Sequence, residues 1–135
     1  MCIRDRFYGA FGCDLETDSY RGEIGDGRFG LSRADMDLFF RWYLPPDGRS
    51  ADPRAAPIKG RLELLRRAFV LACGLDPLRD DSRQLGGALA RSGVSYVYRE
   101  LATANHGFLA LSGDVELARA TLRSAAAHLR DALGG

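Results

Sequence analysis

Histidine is scarce in this chain, with 2 in 135 residues, and there are only 3 cysteines, 1 tryptophan and a single lysine, Lys59. Cys2, Cys13 and Cys73 are odd in number and form no C-x-x-C pair. With two well-separated histidines they make neither a zinc set nor a disulfide framework, which points to a reducing cytoplasm. Charge of one sign is also lacking. Nineteen basic residues against 18 acidic leave a net charge of +1, too small a field to argue for nucleic acid or an anionic membrane surface. No apolar run has the length of a membrane span, and no stretch has the parts of a signal peptide. What remains is an ordinary soluble composition, 46% hydrophobic and 27% charged, in one domain's worth of chain.

The order of elements is that of an α/β protein. FYGAF, Phe7 to Phe11, is an apolar aromatic run of strand type, and MCIRDR before it reads as an extraneous leader over residues 1–6. A polar loop from Gly12 to Gly30 leads to a helix, LSRADMDLFFRWYL. Ser32 is its expected N-cap, with Asp35 completing a capping box. Met36, Phe39, Phe40 and Tyr43 share a face at helical spacing, and Pro45-Pro46 stops the run. After a loop with a brief turn near Leu62 to Arg67, AFVLAC (Ala68 to Cys73) reads as a strand covered on both faces. SRQLGGALARS follows as a helix with Leu85, Ala88 and Leu89 as its stripe. Gly86-Gly87 costs it roughly 1 kcal/mol per glycine, which close packing would explain. VSYVYREL is the third strand. The longest helix runs from about Asp114, its expected cap, to Leu133, and Gly134 closes it. Helical crossovers make the strands parallel.

In open parallel sheets functional groups gather at the carboxyl ends of the strands. Asp76 follows the second strand and His106 the third, one helix and one strand apart. Adjacent strands would let the carboxylate hold one imidazole nitrogen and leave the other free as a base. On residue types alone, Asp76 equally reads as a turn residue before Pro77, and His106 as an exposed loop residue.

The motifs themselves add to this. Asp76-Pro77-Leu78-Arg79-Asp80 and His106-Gly107-Phe108, at this spacing, resemble the D-P-L-x-D and H-G-F motifs of the α/β-hydrolase family related to hormone-sensitive lipase. The aromatic helix with its WYL and the DPRAAP turn are similar to that family's segment ahead of the seventh strand. The resemblance covers the chain from about Phe7 onward. It implies the C-terminal portion of an α/β-hydrolase domain over residues 7–135: three parallel strands, flanking helices and an aromatic cap-like helix. It also implies a serine mechanism on a small-molecule carboxylic ester, with Asp76 as the acid and His106 as the base, and no metal or cofactor. Phe39, Trp42, Tyr43 and Phe108 would border the substrate pocket, or simply pack in the core. Asp80 and Asp81 are expected to cap the helix rather than touch substrate.

The family's G-x-S-x-G elbow and H-G-G-G loop do not occur in this sequence. Gly30-Leu31-Ser32-Arg33-Ala34 imitates the elbow, but a loop rather than an apolar strand precedes it, and Ser32 already has its role as N-cap. The expectation is therefore a hydrolase portion with acid and base but no nucleophile, inactive alone. Two rivals remain. A non-catalytic α/β interaction module would pair through the edge beside FYGAF as a homo-oligomer or with another protein. An amide or formamide hydrolase would share the fold.

Overall fold

The computed structural model describes residues 3–44 and 52–134. Three parallel strands, β1 (Ile3–Phe7), β2 (Arg67–Leu75) and β3 (Ser95–Asn105), form one sheet in the order β1-β2-β3. Helices α1 (Asp18–Arg21) and α2 (Arg33–Tyr43) lie in the long connection after β1. α3 (Arg79–Arg91) joins β2 to β3, and α4 (Glu116–Leu133) follows β3.

β2 is central and buried along nearly its whole length, as its unbroken apolar run requires. Its side chains alternate between two cores. Ala68 and Val70 pack with Leu85, Ala88 and Leu89 of α3. Phe69, Leu71 and Cys73 pack on the other face with Phe108 and with Ala118 and Ala125 of α4. One helix therefore covers each face of the sheet. Among the described residues no helix is long and apolar enough to cross a membrane.

Several elements differ from expectation. The first strand is Ile3–Phe7, not Phe7–Phe11. It pairs with β2 from Ile3↔Arg67 to Phe7↔Leu71, and the chain turns away at Tyr8, whose φ is 35°. Backbone pairing along β2 fixes this strand, whatever the side chains alternate, and it takes in residues set apart as a leader.

In α2 the capping box is present: Ser32 Oγ accepts from Asp35 N, and Asp35 accepts from Ser32 N. The helix buries Met36, followed by Leu44 just past its end. Phe39 and Tyr43 do not share that face but stand 46% and 70% exposed. Pro45 and Pro46 lie outside the described residues.

Asp114 does not cap α4. Its N–H and that of Val115 are both given to Leu111 O, closing the turn at Phe108–Leu111, so the helix starts at Glu116. Nor do Asp80 and Asp81 cap α3. They lie inside its first turn, past the cap position at Leu78, and their carboxylates reach across to the connection after β1. Gly86 faces the rings of Tyr96 and Tyr98, where an added methyl would sit 3.5 Å away, in ordinary contact.

Candidate active site

The site is built where β2 and β3 end together. Cys73 pairs with Leu101, but two residues later Leu75 pairs with Asn105, so β3 spends four residues where β2 spends two. Without that irregularity Asp76 would stand level with Ala104. With it, Asp76 stands level with His106. Gly74 makes the bulge feasible: a Cβ there would lie 2.4 Å from Ala102 O and 2.7 Å from Ala102 Cα. A glycine inside a strand marks such a close backbone approach.

Asp76 is fully buried, and both its oxygens are engaged. Oδ1 accepts from Leu78 N at 2.9 Å, which holds the carboxylate in the turn leading to α3. Oδ2 lies 2.8 Å from His106 Nδ1. The imidazole is one-third exposed (33%), so one end is tied to a buried carboxylate and the ring still reaches solvent. Gly107, with φ of 77°, takes the left-handed conformation that turns the chain from β3 into Phe108–Leu111. That turn drops Phe108 into the core beside α4.

Residues that local patterns did not single out surround the pair. Tyr8 packs its ring against His106 at 5.0 Å between centroids and 67° between planes, and lies 6.2 Å from Phe108. Burial, then nearby Cys73 and Asp76, pushes the Tyr8 hydroxyl above its ordinary range. Cys73, behind the site, is pushed up to about 12 by burial and the charge of Asp76, which removes it as a nucleophile. Asn105 Nδ2 donates to Phe29 O at 3.1 Å and so ties the long connection to the end of β3.

The turn that carries Asp76 is clamped from outside. Ser19 Oγ donates to Pro77 O at 2.6 Å, and Ser19 N donates to Asp80 Oδ2 at 2.8 Å. Asp81 Oδ1 accepts from both Phe11 N (3.0 Å) and Gly12 N (2.8 Å). The only sequence signal for these ties is a pair of carboxylates too deep in a helix to cap it.

Of the expected site residues, the structure brings Asp76 and His106 together and places Phe108 in the core just behind. Phe39, Trp42 and Tyr43 stand apart on the solvent side of α2, with Trp42 75% exposed. The Ser32 hydroxyl is engaged with Asp35 Oδ2 at 2.5 Å.

A family model described as an alpha/beta hydrolase fold matches residues 7–110. Two Mycobacterium tuberculosis proteins are similar. Carboxylic ester hydrolase LipN is 38% identical over 92 residues, covering 67% of this chain and 24% of LipN. Esterase LipI is 33% identical over 100 residues, covering 72% of this chain and 31% of LipI. Among solved structures, LAE6, an α/β hydrolase enzyme from the metagenome of Lake Arreo, superposes with a TM-score of 0.85 at 30% identity. The match covers 99% of this chain and 42% of that one. The hyperthermophilic esterase of Pyrobaculum calidifontis also gives 0.85, at 25% identity, over 98% of this chain and 44% of its own. The chain therefore spans under a third of the curated relatives it matches and under half of these solved structures. Their common fold, the family model and the paired strand ends carry one conclusion: this chain belongs to the α/β-hydrolase fold family, in the branch related to hormone-sensitive lipase.

Proposed function

We propose that this chain supplies the acid and the base of a carboxylic-ester hydrolase that acts by a serine mechanism. The observation that carries the proposal is the 2.8 Å contact between fully buried Asp76 and partly exposed His106 at adjacent parallel strand ends. Asp76 Oδ2 accepts from His106 Nδ1–H, which fixes the tautomer and leaves Nε2 as the base. Nε2 takes the proton of a serine hydroxyl as its oxygen attacks the ester carbonyl. The resulting imidazolium gives that proton to the departing alcohol. In the second half His106 deprotonates water, the acyl-enzyme is cleaved, and the serine is restored. Asp76 Oδ2, bonded to Nδ1–H, stabilises the imidazolium.

The sequence holds no G-x-S-x-G, so the serine and the oxyanion donors come from outside these 135 residues. The proposed substrate is a small-molecule ester, as the names of LipN and LipI support, in a reducing cytoplasm. The test has two arms, each assayed with p-nitrophenyl acetate. One is the chain alone; the other is LipN with its matching segment replaced by this chain. The chimera is expected to hydrolyse the ester, and the chain alone to stay at background. Hydrolysis by the chain alone, abolished in His106→Ala, would contradict the need for an outside serine.

A further inference from the structure

We infer that Tyr8 is a positioning residue for His106, held over the imidazole by a strap, residues 8–12, whose far end is tied to Asp81. The inference rests on the proposed role of His106 and names a residue that acts through it.

Tyr8 sits at the carboxyl end of β1 with a φ of 35°, a left-handed backbone that a bulky side chain rarely adopts. Such outliers persist where the surroundings over-determine them. Here they do so at both ends. Tyr8 N donates to Leu71 O at 2.8 Å, continuing the ladder of β1 on β2 one residue past the strand. At the far end Phe11 N and Gly12 N converge on Asp81 Oδ1, and Phe11 O accepts from Ile58 N at 3.0 Å. Between them Gly9 leaves room for the Phe11 ring, which a Cβ at that position would meet at 2.8 Å. The strap thus cannot relax without breaking hydrogen bonds to two separate elements.

What the strap delivers is an aromatic ring on the imidazole. A 5.0 Å centroid separation at 67° lies within the range of edge-to-face aromatic pairs. Asp76 restrains His106 at Nδ1, while Tyr8 restrains the plane of the ring. The two together leave Nε2 aimed in one direction. Asp81 holds the far end of the strap and also stands close enough to Asp76 for their charges to repel, which is why the Asp81→Asn variant is compared with Asp81→Ala.

The second histidine, His128 of α4, is buried with its ring 5.3 Å from that of Phe69 and serves as the control for the fold. The readout is the low-field proton NMR signal of His106 Nδ1–H, recorded on this chain with the His128 resonances as control. The signal is expected in the wild type and in Tyr8→Phe, which keeps the ring. It is expected to lose more than half its intensity in Tyr8→Leu, and also in Asp81→Ala, which cuts the far tie while leaving Tyr8 in place. Asp81→Asn, with an oxygen still able to accept both N–H groups, should retain it. Full intensity in Tyr8→Leu with His128 unmoved overturns the strap and leaves the Asp76–His106 pair standing. No signal in the wild type overturns the pair and the strap together. If Tyr8→Leu disturbs His128, Tyr8→Gly decides instead, since glycine accepts the positive φ and removes the ring. Full intensity there overturns the strap as well.

Discussion

Asp81 carries a carboxylate into a site with 4% exposure and gives it two backbone N–H donors and, among the described residues, no ion pair. Burial dominates, and the carboxyl is pushed up to about 6 from 3.8. Between those values the folded chain holds a proton that the unfolded chain has released. Stability from this group is therefore complete below the ordinary value and is lost as pH rises through about 6. A shift of roughly two units is worth on the order of 3 kcal/mol at neutral pH. Asp81→Asn should abolish that slope, so its urea midpoint should overtake the wild type as pH goes from 4.5 to 7. Parallel profiles for the two proteins would contradict the assignment. Cys73 offers a second check. It is fully buried and its thiol is pushed up to about 12. Its peptide should stay unmodified after iodoacetamide treatment of the folded chain at pH 8 and become labelled in urea. These environments were not legible in the sequence. Asp81 is distinguished from Asp80 by a partner 70 positions away, and no local pattern encodes that distance.

At the scale of elements, apolar pattern and local chemistry made much of the chain readable. β2 is a run of buried residues that only a covered strand satisfies. The box at Ser32 and Asp35 needs three residues of context, and α4 runs close to its expected length. Of its expected stripe, however, α4 buries only Ala118 and Ala125, with Thr121 and His128 beside them, and leaves Leu122, Leu129 and Leu133 exposed. Other elements are decided by their partners. β1 reads as IRDRF, without an apolar face, and exists because β2 presents unpaired backbone to it. The last four residues of β3, Ala102 to Asn105, carry no strand pattern and are set by the bulge opposite Gly74. That bulge yields a prediction of its own. Gly74→Ala would press a methyl to 2.4 Å from Ala102 O, so β2 and β3 must part at the level that aligns Asp76 with His106. A loss of about 1–3 kcal/mol by urea unfolding is expected for such overpacking, together with loss of the His106 Nδ1–H signal. An unchanged midpoint would mean that the strands separate freely there.

For the whole molecule, the two motifs and the parallel topology were enough to bring Asp76 and His106 to one edge, because a strand-helix-strand unit leaves few other placements. Topology could not supply what stands over them, since Tyr8 and His106 meet only once the sheet is assembled. The aromatic face of α2 shows the same limit from the other side. Phe39, Trp42 and Tyr43 have the composition of a pocket wall, yet in this chain they face solvent. The chain matches 24% of LipN and 44% of the Pyrobaculum calidifontis esterase, and the proposed function therefore rests on Asp76 and His106 together with groups supplied from elsewhere. The most direct measurement is the hydrolysis rate of the LipN chimera with and without His106→Ala, on p-nitrophenyl acetate under matched folding controls. A fall in kcat on the order of 10⁶-fold, in line with loss of the base from a serine triad, is the predicted result. A rate within a few-fold of the unmutated chimera would mean that His106 is not the base, and the central claim would fail.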